Sequence, residues 1–232
     1  MRSEEPAVIR RLPLFADMGE ANFTAVLQAA YLQVFPPEVK LLTEGDAADF
    51  LHVVVDGCVE LFAEANGRET TLALARPVST FILAAVLKDA VYLMSARTIE
   101  KSRILMIPSR DIRDAFERDA AFARSLVNEL ASAFRSAIKE QKNQKLRSGI
   151  ERLANFILAL HREQGGSGSL ILPCGKKTLA SLLGMAPENL SRAFGTLKPY
   201  GVNVVGAEIR LSKLRELEQL AKPTPLIDDQ AK

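Results

Sequence analysis

The stretch Thr178–Gly201, TLASLLGMAPENLSRAFGTLKPYG, decides the reading of this chain. It predicts two short helices joined by a tight turn. Leu179, Leu182 and Leu183 give the first helix an apolar face, and Gly184 ends it, because glycine takes a positive φ without a Cβ clash. Pro187 suits the first turn of the second helix, where its missing N–H leaves no bond unmade. Leu190, Phe194 and Leu197 recur at i, i+4 and i+7, a stripe for burial. Glu188, Ser191 and Arg192 fall at i, i+3 and i+4 and share a different, solvent-side face. Pro199 and Gly201 stop the helix.

That face is chemically selective. Arginine can bond guanine O6 and N7 together, glutamate can accept from cytosine N4, and serine can donate, accept or lie against a thymine methyl. Three such side chains near the start of a second helix fit the recognition helix of a helix-turn-helix. A solvated helical hairpin carrying a Glu/Arg surface pair has the same spacing. The run Glu188-x-x-Ser191-Arg192, four residues after Gly184, resembles the recognition helix of the Crp/Fnr transcription regulators, and the resemblance extends over nearly the whole chain.

Charge is unevenly distributed over the 232 residues. Residues 133–215 hold 14 Lys/Arg against 5 Asp/Glu, whereas residues 1–132 hold 14 against 19. A basic segment around the candidate recognition helix is the electrostatic footprint of a polyanion binder. No apolar run approaches the length of a membrane span. The opening MRSEEPAVIRRLPLF lacks a signal-peptide core, so a cytoplasmic protein is expected. The two cysteines, Cys58 and Cys174, are far apart, and the first 50 residues contain none. That spacing argues against a metal or iron–sulfur site and departs from the oxygen-sensing Fnr members, which carry an N-terminal cysteine cluster.

Taken in order, residues 6–30 predict a short helical lead-in, with Asp17 or Gly19 opening a helix that buries Phe23, Val26 and Leu27. Residues 31–107 read as short strands: Val53, Val55, Val59, Leu61 and Phe62 are strand formers around an Asp56-Gly57 turn. Asn66-Gly67 is a second hairpin signal, and Thr70–Ala75 and Ile104–Ile107 are further strands. Such spacing predicts a β-barrel or jelly roll. LPLFADMGEANFTAVL and LLTEGDAADFLHVVVDGCVELF resemble the start of the family's sensor domain and its cyclic-nucleotide-binding-type barrel. Ser109 could cap a helix. Asp119 could begin a longer one running to about Lys145, whose Phe122, Leu126, Leu130, Ala133, Ala137 and Gln141 fit a narrow seam. Packing of that stripe on the helix's own barrel is the alternative. The resemblance makes the stripe a dimer interface, and two recognition helices one DNA turn apart would read a palindrome.

Residues 148–164 predict an amphipathic helix with Ile150, Leu153, Phe156, Ile157 and Leu160 inward. A Gly165–Gly168 loop and a strand over Leu170–Pro173 follow. Lys176 and Lys177 stand just before the first helix of the motif. The resemblance makes these lysines, together with Asn189, phosphate contacts. Val202–Val205 and Ile209–Leu211 around Gly206-Ala207 predict the hairpin wing of a winged helix. Leu214–Leu220 closes the domain, and Pro223 and Pro225 begin a loose tail. The expected organisation is α+β: a cyclic-nucleotide-binding-type β-barrel (jelly roll) over 1–118, a long dimerisation helix over 119–147, and a winged helix-turn-helix over 148–232.

Cyclic-AMP-binding relatives carry a Gly-Glu pair and, after it, an Arg-Ser/Thr-Ala trio that binds the phosphate. The corresponding stretch here is Thr80–Thr98, TFILAAVLKDAVYLMSART. Ile82-Leu83-Ala84 stand near the Gly-Glu position and Met94-Ser95-Ala96 at the trio. Apolar residues cannot compensate a phosphate's charge, so cyclic AMP is not an expected ligand. Arg97 should project to the other side of a regular strand. Phe81, Leu83, Leu87, Tyr92 and Met94 would line an apolar effector pocket, unless they are only core packing. The pattern resembles the nitric-oxide-responsive Dnr or Nnr members, some of which use haem. His52 is a candidate haem ligand, with Cys58, Met94 and Pro6 weaker ones, although a plain core or surface histidine fits the same pattern.

No Ser/His/Asp set, metal-spaced histidine cluster or Walker-type glycine loop is present, so an enzyme is not expected. The expected partners are double-stranded DNA, a second copy of the chain and, by the resemblance, RNA polymerase. A signalling adaptor that uses the same barrel without DNA would lack a steep salt dependence of DNA binding.

Overall fold

Asn66 and Gly67 both have positive φ, 54° and 70°, and close the hairpin between β4 (Val59–Ala65) and β5 (Arg68–Ala75). Two consecutive positive φ values define the turn whose twist matches its flanking strands. The computed structural model describes residues 5–77 and 79–229, so Met1–Glu4 of the N-terminal stretch lie outside the described residues. The chain divides into two compact units, residues 1–133 and 134–232.

In the first unit, α1 (Glu5–Arg10) and α2 (Glu20–Ala29) precede eight strands among the described residues. These are β1 (Tyr31–Phe35), β2 (Lys40–Leu42), β3 (Phe50–Asp56), β4, β5, β6 (Ser79–Phe81), β7 (Ser95–Thr98) and β8 (Ser102–Pro108). They form two antiparallel four-stranded sheets, β1-β8-β3-β6 and β2-β7-β4-β5, that share one apolar core, a jelly roll. Asp56-Gly57 is a turn, but it does not close a hairpin: β3 lies in the first sheet and β4 in the second. Gly57, at φ 90°, is required there, since a Cβ would meet Ser102 Cα at 2.6 Å.

Helix α3 (Leu83–Lys88) follows β6 through Ile82, a β-branched residue at φ 73°. That conformation costs about 1–2 kcal/mol and is held by the surrounding barrel. Ser109 opens α4 (Ser109–Arg118) without capping it. Its hydroxyl donates instead to the Ala48 carbonyl, tying the helix to the loop before β3.

Helix α5 (Ala120–Leu146) crosses from the first unit into the second. The Asp119 carboxylate starts it, accepting from the Ala121 and Phe122 N–H groups at 3.0 Å each. The same carboxylate accepts from Gly19 N–H at 2.7 Å and Asn22 Nδ2 at 3.1 Å, which fastens the start of α2 to it. Phe122 and Leu126 are 0% exposed in the barrel core, with Phe122 stacked on Phe15 at 5.9 Å. They therefore cannot belong to a dimer seam, a correction to the sequence reading. Leu130 is half-buried against the same core, while Ala133, Ala137 and Gln141 are exposed.

The second unit holds α6 (Gly149–Glu163), β9 (Ser169–Ile171), α7 (Lys176–Leu182), α8 (Pro187–Leu197), a 3-10 turn (Lys198–Tyr200), β10 (Val202–Val205), β11 (Glu208–Leu211), α9 (Leu214–Ala221) and α10 (Pro225–Asp228). Ser148 and Glu151 cap α6 reciprocally. Its Leu153, Ile157 and Leu160 pack with Leu179, Leu190, Phe194 and Leu197 into a second core. The β10-β11-β9 sheet flanks that core. As far as Asp229 the tail is not loose: Pro225 opens α10, and the Asp228 carboxylate pairs with Arg147, while residues 230–232 lie outside the described residues. Among the described residues no helix is long and apolar enough to cross a membrane.

The Asp119 carboxyl is held below its ordinary 3.8, first by the Phe122 N–H, against some desolvation. Its stabilisation is therefore present above the ordinary value and is lost as pH falls through the lower folded-state value. Asp119→Ala should cost about 1–2 kcal/mol in urea unfolding at neutral pH, with the gap to wild type narrowing as pH falls below the carboxyl's ordinary 3.8.

Candidate nucleic-acid interface

The helix pair is built from local rules. Gly184, at φ 61°, ends α7 with its N–H on the Ser181 carbonyl at 2.9 Å, and the Met185 N–H reaches the Ala180 carbonyl at 2.9 Å. These two bonds form a Schellman turn, which needs a residue tolerant of the left-handed region. Pro187 occupies the first turn of α8. Leu190, Ala193, Phe194 and Leu197 bury one face of that helix, leaving Glu188, Asn189, Ser191 and Arg192 exposed on the other. The predicted base-reading trio is thus brought together on one open face, with Asn189 beside it.

Lys176 and Lys177 are exposed, and they are the first two residues of α7 rather than residues before it. Gly195, one turn beyond Arg192, is also exposed, and nothing lies within 4 Å of where its Cβ would be. That open backbone permits close approach by a bulky partner. The wing is the β10–β11 hairpin, closed by Gly206-Ala207 with Val205 paired to Glu208. Arg210 lies exposed on it, 3.1 Å from Glu208. Gly201, at φ 82°, admits no side chain, because a Cβ would sit 2.5 Å from the Lys213 N.

One residue absent from the sequence reading supports the turn. Arg152, on α6, donates from Nε to the Leu183 carbonyl at 2.8 Å and from Nη2 to the Gly184 carbonyl at 3.3 Å. Its Nη1 reaches the Arg147 carbonyl at 2.7 Å and that of Gln144 at 3.4 Å. A cation between Ile150 and Leu153 reads in sequence as an ordinary solvated position. Only the fold shows four carbonyls converging on it.

In the sensor unit, Phe81, Leu83 and Tyr92 are buried members of the barrel core, and Leu87 and Met94 are half-buried against it. Ser95 accepts the Glu44 N–H at 3.0 Å. Arg97 does face away from the core. Its Nε lies 2.8 Å from Glu60, its Nη atoms 3.0 and 2.7 Å from Glu69, and it stacks over Phe62 at 4.4 Å.

His52 is 2% exposed, with Phe81 stacked at 5.2 Å and Phe50 edge-on at 6.5 Å. Burial pulls its pKa down to about 4, opposed weakly by the Phe50 backbone, and neither ring nitrogen makes a hydrogen bond of sound geometry. An axial haem ligand must present one nitrogen to a slot as wide as the macrocycle. His52 is closed in by two aromatic rings, so these residues do not fit a haem. Among the described residues no group of three or more His, Cys, Asp or Glu could hold a metal ion.

The comparisons agree with this arrangement. Residues 32–119 match the cyclic nucleotide-binding domain model and residues 151–220 the Crp-like helix-turn-helix domain model. No curated protein matches the chain. Among solved structures it is similar to a provisionally assigned cAMP-binding regulatory protein from Silicibacter pomeroyi DSS-3, with 27% identity over 96% of this chain and 100% of that one, TM-score 0.64. It is also similar to FixK2 from Bradyrhizobium japonicum, with 23% identity, 82% and 96% coverage and TM-score 0.73. A third likeness is to a CRP-family transcriptional regulator from Thermus thermophilus, with 17% identity, 86% and 100% coverage and TM-score 0.69. The last two likenesses show the fold.

Phe194 anchors α8 in the second core. Phe194→Ala should cost about 3 kcal/mol in denaturant unfolding and loosen the exposed face with it.

Proposed function

Because the chain is a Crp/Fnr-family regulator, carrying that family's two modules in order, we propose that it acts as a homodimer reading a TTGA–TCAA-type palindrome in double-stranded DNA. The observation that carries this reading is the exposed Glu188–Ser191–Arg192 face on the second helix of the pair, within a segment of strong positive charge. Arg192 takes the guanine, Glu188 the cytosine amine, and Ser191 biases a neighbouring position. Lys176, Lys177 and Asn189 hold phosphates, which fix register without reading sequence. Arg192→Ala should cost about 1–3 kcal/mol per half-site and relax specificity. Lys177→Ala should weaken every sequence alike and reduce the salt slope by about one. Anisotropy titrations over salt distinguish these outcomes. Wild-type affinity and selectivity in Arg192→Ala would remove the base-reading assignment.

The dimer seam on this reading is a row about 100° around α5 from the residues that face the barrel core. Val127, Phe134 and Ile138 are 56%, 67% and 42% exposed, and with Ala131 they follow the 4-3-4 spacing of a coiled coil. Phe134→Glu should give a folded monomer in sedimentation velocity with lost palindrome affinity. A persistent dimer would overturn this seam.

The sensor unit works without cyclic AMP. Met94 stands where a phosphate-pairing arginine is needed, Ser95 is engaged with Glu44, and Arg97 is held on the outer face by two glutamates. The cAMP binding assigned to the Silicibacter protein is therefore not carried over. His52 gives no support to the haem-using, nitric-oxide-responsive branch either, and the effector is proposed only as a non-cAMP one. Calorimetry with cAMP should show no saturable heat, and DNA affinity should not change on its addition. Saturable binding with Kd below about 1 mM would overturn this.

A further inference from the structure

Within the second unit, Thr224–Asp229 form a C-terminal strap that lies at the junction of α5 and α6. Asp228 holds Arg147 in a two-pronged ion pair, with Nη1 and Nη2 at 2.7 and 2.5 Å from its two oxygens. Both side chains are nearly buried, 7% and 12% exposed. The strap itself is fixed in place. The Thr224 N–H donates to Asp228 Oδ2 at 2.6 Å, and the Lys142 Nζ donates to the Leu226 carbonyl at 3.3 Å. Lys139 Nζ also bonds the Asp229 carbonyl. Desolvation pushes the Asp228 carboxyl up, but Arg147 and the Thr224 N–H together hold it below its ordinary value.

Arg147 is the last residue before Ser148, the cap of α6. Its carbonyl is one of the four that Arg152 grips, and two of the others belong to Leu183 and Gly184, the turn of the helix pair. Gln144, at the end of α5, closes on the same turn: its Nε2 lies 3.5 Å from the Leu182 carbonyl. A continuous path of charged hydrogen bonds therefore runs from Asp228 to Arg147, through the Arg147 carbonyl to Arg152, and on to the turn that sets the direction of α8.

We propose that Asp228 is a positioning residue for the recognition helix, acting through Arg147 and Arg152. The proposal rests on the DNA-reading function argued above. The strap sets the angle at which α8 leaves the end of α5, and in a dimer that angle sets the distance between the two reading faces. Removing the carboxylate leaves Arg147 nearly buried without a charged partner, with the Asn143 Oδ1 at 3.2 Å still accepting from Nη1, an arrangement a protein relieves by moving the side chain to water. The Arg147 backbone then loses its anchor, and Arg152 loses one of its four acceptors.

The test uses the full chain with Asp228→Asn, and the charge swap Arg147→Asp with Asp228→Arg. Wild type should prefer one spacer between half-sites over spacers one base pair longer or shorter. Asp228→Asn should reduce that preference about tenfold, the low end for losing a hydrogen bond between charged groups. Affinity for a duplex carrying a single half-site, and its salt slope, should stay within about twofold of wild type. The swap should recover part of the spacer preference, which a mere loss of stability would not allow. A second reading does not require DNA: hydrogen exchange at the Ser181–Met185 amides should quicken about tenfold in Asp228→Asn. Unchanged exchange overturns the proposal. So does a wild-type spacer preference in the variant, or a loss shared equally by the half-site. If wild type binds no DNA while exchange quickens as expected, the DNA-reading function fails and the mechanical link stands.

Discussion

Phe122 and Leu126, buried without remainder in the barrel core, determine which side of the long helix belongs to its own chain. Everything that α5 can offer elsewhere is set by that commitment, because a helix repeats its faces every 3.6 residues. The Asp119 carboxylate fixes where the helix starts, so its rotation is not free. The Thr80 hydroxyl, donating to Glu129 at 3.1 Å, ties the next turn to β6. The apolar row at Val127, Phe134 and Ile138 is exposed for the same geometric reason that Leu126 is buried.

Local grammar made the helix pair and the Asn66-Gly67 hairpin legible in the sequence. Gly184, Pro187, Asn66 and Gly67 each sit at a backbone position that few other residues tolerate, and each is read within a window of a few residues. The exposed Glu188–Ser191–Arg192 face follows from Leu190, Phe194 and Leu197 occupying the other side. Contacts distant in sequence were not legible. Asp56-Gly57 looks like a hairpin turn, and only the pairing partners of β3 and β4 show that it passes between sheets. The helical stripe on α5 was visible, but periodicity cannot say which of two adjacent rows meets the barrel. Pro223 and Pro225 suggested a loose tail, whereas its partner, Arg147, stands 81 positions from Asp228.

The two units use charge in opposite ways. In the barrel, Arg97 is drawn to the outer face by Glu60 and Glu69, and Phe81, Leu83, Val86 and Tyr92 fill the interior. In the second unit arginine reaches inward: Arg147 meets a carboxylate, and Arg152 meets only carbonyl oxygens. A guanidinium suits the second task because its donors splay in one plane and can serve several acceptors at once. A lysine at either position would carry the charge without the fork.

Ile82 keeps a backbone conformation, φ 73°, that its own side chain opposes. The turn between β6 and α3 is therefore imposed by the barrel around it. A turn made in this way retains its shape when its residue is exchanged, so glycine at 82 would relax the segment without redirecting it. The course of the chain from β6 into α3 is thus held from outside, while Phe81, Leu83 and Val86 supply buried hydrocarbon along it. What lines the segment is accordingly a matter of a few side chains, open to exchange without rebuilding the barrel.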